Sequence, residues 1–241
     1  MAGGVRLTVR KVGNTRNVRH PLRPVGPWWA LALLAGVGAL GVWGSDAIGW
    51  PAGAGAWGGP GHPGAPTLAG WLDWQPTLAL QQPWRCITAA WVHLSGRHLV
   101  GNLAGIVLVA AFGRAAGCGG RATLAWAGAW PLTHAALALQ PTLGHYGGLS
   151  GLLHAGVAVA CWQLLRGGRG QRRAVGAAVL ATLVLKLLLE APWQGGPLRH
   201  GPGWDIAIAP LAHSSGALAG LLCAWACGVG GDAGRRVPRS A

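Results

Sequence analysis

The chain has 241 residues, 51% hydrophobic and only 10% charged, with a mean hydropathy of +0.38 and its apolar residues gathered in long blocks. That is a membrane protein's composition. The formal charge of +14 suggests nucleic acid until each Lys and Arg is placed; they sort by loop, which decides against a nucleic-acid partner.

The first element is a basic segment at residues 1–26, with Arg6, Arg10, Lys11, Arg16, Arg19 and Arg23. A basic stretch before an apolar run resembles a signal peptide. Five more apolar runs follow, however, and no small-residue cleavage site stands out, so the first run reads as a retained helix. The spans are predicted at residues 27–42, 89–112, 122–139, 147–165, 174–189 and 206–229. The second and sixth are long enough to cross the hydrocarbon with some tilt, and the first and fourth are near the lower limit. Two further basic residues (Arg114, Arg121) fall between spans two and three, and four (Arg166, Arg169, Arg172, Arg173) between spans four and five. Three (Arg235, Arg236, Arg239) follow span six, in a second basic segment at 230–241. These fifteen of the nineteen cations share one side of a six-span arrangement. The positive-inside rule makes that side the cytoplasm and places both termini there.

Residues 45–82 are rich in Gly, Pro and Trp, carry Asp46 and Asp73, and lack Lys and Arg. With the residues up to 85 they form a long first loop on the outer face, and a loop this long usually has a job. The rings of Trp50, Trp57, Trp71, Trp74 and Trp84 favour the headgroup region, so residues 68–84 are expected to be structured in the interface, whereas 51–66 read as a linker. The cysteines Cys86, Cys118, Cys161, Cys223 and Cys227 have neither metal-ligand spacing nor the pattern of a disulfide framework and read as packing residues.

At the outer end of span two, His98 and Asn102 are four apart, so they share a helix face, and both can donate hydrogen bonds. Donors pre-aimed in a water-poor site stabilise an oxyanion by several kcal/mol. With His93 they also suggest zinc, but no carboxylate or His-Glu-x-x-His pattern joins them, and oxyanion binding is the stronger reading. Gly148-Leu149-Ser150-Gly151 then opens span four. With 43 glycines in the chain the match alone is weak. It is not the hydrolase elbow either, since Leu152 stands where that motif needs Gly. It puts Ser150 in the first turn of the span, flanked by glycines that permit close approach. His213 lies roughly 12 Å along span six from Asp205, entering from the same side as Ser150. Gly216 and Gly220 on its face let the span pack closely on a neighbour. A serine hydroxyl needs a base, and His suits neutral pH. Asp205, the nearest acid in sequence, is about two helical turns away, so a Ser/His dyad is expected rather than a triad.

In this order, Trp84-Arg85, His93 with His98 and Asn102, Gly148-Leu149-Ser150-Gly151, and Ala212-His213 with Gly216 and Gly220 resemble the rhomboid intramembrane serine proteases over most of spans two to six. The resemblance implies an all-α membrane fold: a six-transmembrane-helix bundle at residues 27–229, with a short fourth helix at the bottom of an outward-opening, water-filled cavity. It makes Ser150 the nucleophile and His213 the general base. His98, Asn102 and the Ser150 N–H form the oxyanion hole. Trp84, Arg85 and His93 support the first loop, and Gly148, Gly151, Gly216 and Gly220 are structural. No metal or cofactor is implied; the partners are transmembrane segments of protein substrates and the lipid bilayer.

One position departs from the pattern. Many rhomboids place an aromatic residue, often Tyr, four positions after the serine, stacked on the catalytic histidine; here it is His154. The run from Gly148 to His154 looks like the rhombosortase branch. That implies a bacterial inner-membrane enzyme, open to the periplasm, that cuts exported proteins ending in Gly-Gly, a hydrophobic helix and a basic tail. Lys186 and Glu190 form an i,i+4 pair near the outer end of span five; span five is the family's proposed gate, so the pair could also shape the substrate entrance. Three readings stand: an intramembrane endopeptidase, specific for such anchors or general; an inactive rhomboid-like helix-binding protein; and a transporter, which predicts inverted repeats that are not evident.

Overall fold

The computed structural model describes residues 26–49, 67–200, 203 and 205–231. The basic residues from Arg6 to Arg23 and from Arg235 to Arg239, together with Trp50, Trp57 and the linker at 51–66, lie outside the described residues. So do most of the two expected terminal segments.

Helix α1, Gly26–Gly49, buries Trp28, Ala32, Ala35, Ala39 and Val42, while Leu33, Leu34 and Val37 are more than half exposed. A helix apolar on every side, with one stripe packed and the rest uncovered, suits a lipid environment. Trp28 fixes its packing: the ring lies 4.3 Å from that of Trp126, Nε1 donates to the Val109 carbonyl at 3.3 Å, and Gly113 leaves room for the indole where a Cβ would overlap it.

The first loop is built of short helical pieces. Thr67 caps α2, Leu68–Leu72, its hydroxyl accepting from Gly70 N–H at 3.0 Å. A 3-10 turn at Pro76–Leu78, helix α3 at Arg85–Thr88 and a second 3-10 turn at Ala89–Trp91 follow. Asp73, fully buried, is the hub. Its Oδ1 accepts from Arg85 Nη1 at 2.7 Å and Gln75 Nε2 at 2.9 Å, and Oδ2 pairs with His145 Nδ1 at 2.5 Å. Arg85 also donates to the carbonyls of Asp73 and Gly70 and to Gln82 Oε1. Trp71, Leu80 and Trp84 are left exposed, the kind of surface an interfacial loop presents. Backbone bonds between Trp74 and Tyr146, at 2.8 and 2.9 Å, tie this loop to the approach to Ser150.

Five further long helices follow: α4 at Gly96–Ala116, α5 at Gly120–Ala135, α6 at Ser150–Gly167, α7 at Gln171–Glu190 and α8 at Pro210–Ala226. The expected second span began at residue 89. In the structure the chain turns extended at Val92, and α4 starts only after the Ser95 cap, whose hydroxyl accepts from His98 N–H at 3.1 Å. The expected sixth span likewise began too early. Residues Ala207–Ile208 form a strand, β2, paired antiparallel with β1 at Arg199–His200, and Pro210 opens α8. Among the described residues, two helices, α1 and α4, are by themselves long and apolar enough to cross a membrane. The helix α6 is enclosed by its neighbours, with the consecutive residues Ala158, Val159, Ala160 and Cys161 all buried. Its contact with α8 is set by glycine. A Cβ on Gly216 would overlap the Gly151 carbonyl, and one on Gly220 would sit 2.5 Å from the Ala155 carbonyl oxygen. By contrast, α7 buries only Gly176 and Leu183.

Candidate active site

Four helix ends converge: the first turns of α4, α6 and α8 and the last turn of α7. Ser150 is the first residue of α6 and His213 the fourth of α8. The glycine contact between these helices puts His213 Nε2 3.0 Å from Ser150 Oγ. On its other side, His213 Nδ1 is 2.8 Å from Glu190 Oε2. A carboxylate only accepts, so the ring proton sits on Nδ1, and Nε2 is left to take the serine proton. The sequence reading weighed only Asp205 as an acid for His213, found it too far, and on that ground expected a dyad. The carboxylate comes from α7, twenty-three positions before His213, while Asp205 accepts from Ser95 Oγ at 3.0 Å.

His98 and Asn102 lie on one face of α4, both buried. Leu94 N–H donates to His98 Nδ1 at 3.4 Å, which makes Nε2 of His98 the donor. Asn102 Nδ2 donates to His93 Nε2 at 3.1 Å, and His93 Nδ1 donates to the Trp91 carbonyl at 3.1 Å. His93 therefore orients Asn102, whose second amide proton remains for the cavity. Gly148, at φ +137°, is where these donors approach the chain before Ser150: a Cβ there would lie 2.8 Å from His98 Nε2 and 3.6 Å from Asn102 Nδ2. The Ser150 N–H, first in its helix, has no intrahelical acceptor. His98, Asn102 and Ser150 line one cavity.

His154, one turn after Ser150, donates from Nδ1 to the Ser150 carbonyl at 2.6 Å, and its ring stacks on His213 with centroids 4.3 Å apart and planes 12° apart. Gly151 is held where a Cβ would be 2.5 Å from Thr133 Cγ2 and 2.8 Å from the Ala212 carbonyl oxygen. Of the expected loop supports, Arg85 is buried in its ion pair, whereas Trp84 is 48% exposed. A cavity of about 710 Å³ joins these groups; Ser150, His213, His98 and Asn102 line it with Lys186 and Glu190.

A sequence model of a family described as the Rhomboid domain matches residues 80–229, more than half of the chain. The chain belongs to the rhomboid family. No curated protein matches it. Rhomboids are membrane proteins, generally intramembrane serine proteases that act on transmembrane substrates. In this rhomboid the sequence reading named Glu190 and Asp73 but missed what they meet, His213 and Arg85. Glu190 had a signal, as a rare acid at the end of an apolar helix. Asp73 had a fainter one, as an acid in a loop free of Lys and Arg.

Proposed function

We propose that this rhomboid is an intramembrane serine endopeptidase, with Ser150 as nucleophile and His213 as general base. The observation that carries the reading is the 3.0 Å approach of His213 Nε2 to Ser150 Oγ inside a cavity walled by membrane-type helices. Ser150 Oγ attacks the scissile carbonyl carbon while His213 Nε2 takes the hydroxyl proton. The oxyanion is met by His98 Nε2–H, Asn102 Nδ2–H and the Ser150 N–H. The imidazolium then gives its proton to the leaving amine, the C–N bond breaks, and water hydrolyses the acyl ester by the reverse proton route. Substrate helices reach the serine from the side. A second cavity of about 460 Å³, bordered by Gly105 of α4, Leu153 of α6 and Ala178 of α7, adjoins the first at His154 and Lys186.

The finer assignment is to the rhombosortase branch, supported by the run from Gly148 to His154. The substrates are then C-terminal anchors with a Gly-Gly motif, a hydrophobic helix and a basic tail, cut near the periplasmic face of the bacterial inner membrane. Residues 27–229 make up the six-span protease domain, with basic cytoplasmic segments at either end. Co-expression with a reporter ending in such an anchor tests the reading: wild type shortens the reporter and Ser150→Ala does not. An intact reporter with Ser150 labelled by a fluorophosphonate would leave a general rhomboid of other specificity. No labelling of folded protein would leave an inactive helix-binding relative.

A further inference from the structure

His213 can present a bare Nε2 to Ser150 only while its proton is kept on Nδ1, and the acceptor at that proton is Glu190 Oε2 at 2.8 Å. Lys186 holds the carboxylate itself, and Arg199 holds the backbone that carries it. Lys186 Nζ donates to Oε1 at 2.5 Å and lies 3.5 Å from His213 Nδ1. Arg199, from β1, donates to the carbonyls of Glu190 and Ala191, both at 3.0 Å. This clasp closes the end of α7 over Ala191, which takes the left-handed conformation at φ +43° that a residue with a side chain enters only at some cost. The other titratable groups facing this corner, His154 stacked on His213 and His98 across the cavity, are imidazoles whose Nδ1 atoms are engaged elsewhere.

We propose that Glu190 is a positioning residue of the reaction, fixing the tautomer and orientation of His213 and offsetting the imidazolium charge, and that Lys186 dictates which Glu190 oxygen faces the histidine. The proposal rests on Ser150 and His213 acting as nucleophile and base. No proton reaches the carboxylate: the Ser150 proton goes to His213 Nε2 and then to the leaving amine, while the Nδ1 proton stays in place and Glu190 remains ionised throughout.

The lysine gives the proposal a signature. In Glu190→Gln the amide oxygen is claimed by Lys186, which can only donate, so the amide NH2 turns to His213 Nδ1. That forces the proton to Nε2, the tautomer that cannot accept from serine. Removing Lys186 lets the amide rotate and offer its oxygen instead.

The test uses purified full-length protein, its fluorophosphonate labelling rate, kcat and KM on a cleavable transmembrane reporter, and a melting midpoint for each variant. Glu190→Gln should lower kcat and the labelling rate by about 10²- to 10⁴-fold with KM nearly unchanged. Glu190→Asp should keep part of the activity. Combining Glu190→Gln with Lys186→Met should recover about tenfold or more over Glu190→Gln alone. Wild-type kcat in Glu190→Gln, or a double variant no faster than that single one, overturns the proposal. If Glu190→Gln does not fold, Glu190→Asp carries the test: reduced kcat at constant KM supports it, wild-type kcat overturns it. Wild type that labels no faster than Ser150→Ala overturns the serine-protease reading itself, a separate result.

Discussion

Ser150 gains its setting from three side chains that no single stretch of sequence contains. His213 comes from α8, His98 and Asn102 from α4, and each is pinned by a further bond that sets its tautomer or amide orientation. His154 does two jobs, bonding the Ser150 carbonyl and stacking on His213. The stack needs only a flat ring, whereas the bond needs a donor at the ring edge. His154→Tyr keeps the first and loses the second. It should retain measurable cleavage of the anchor reporter at reduced kcat; complete loss in a protein that still melts like wild type would remove the stacking role. The residues sharing one helix, His98 with Asn102 and Ser150 with His154, were legible because a spacing of four means one face. Glu190 was paired correctly with Lys186 by the same spacing, but its bond to His213 crosses from α7 to α8, and no spacing records that.

Between elements, glycine decides how closely α6 and α8 approach, and through that whether base meets nucleophile. Gly216 faces the Gly151 carbonyl, a backbone atom that cannot rotate away, while Gly41 on α1 has nothing near its missing Cβ. Gly216→Ala should therefore lower the thermal midpoint through a loss of about 1–3 kcal/mol and slow fluorophosphonate labelling. Gly41→Ala should leave both near wild type. The glycines at 216 and 220 could be read as a close-packing stripe from their spacing, and the structure gives that stripe its partner, α6. The helix starts could not be read as well. The stretch 89–112 reads as one span despite His93, Ser95, Arg97, His98 and Asn102, and in the structure the extended Val92 and the Ser95 cap mark where α4 begins. In the first loop, polar Asp73 is buried because Arg85 satisfies it; removing either partner alone would strand the other as a buried charge.

Among the described residues, the arginines of the α6–α7 connection lie at the opposite end of the bundle from Ser150. Ser150 begins α6 and Arg166 stands in its last turn, about 24 Å further along. Glu190, at the far end of α7, is likewise a full helix away from Arg172 and Arg173. In the proposed orientation, which rests on the positive-inside rule, the arginine-bearing connections face the cytoplasm and the cavity opens on the other side. In a cysteine-free background, a single cysteine at Gln194 should react with a membrane-impermeant maleimide in spheroplasts, and one at Arg169 only after lysis. The reverse pattern would invert the proposed orientation.

The sequence by itself determined a membrane setting, a resemblance to the rhomboids carried by four motifs in the right order, and which residues share the face of a given helix. The first follows from composition and the last from the 3.6-residue period, properties local to the chain. Only the tertiary structure decided what meets across helices: Glu190 on His213, Arg199 on the end of α7, and Asp73 beneath Arg85. In an apolar setting each buried polar group must find a partner, but which partner depends on how the helices pack, and here small residues distributed along several of them set that packing.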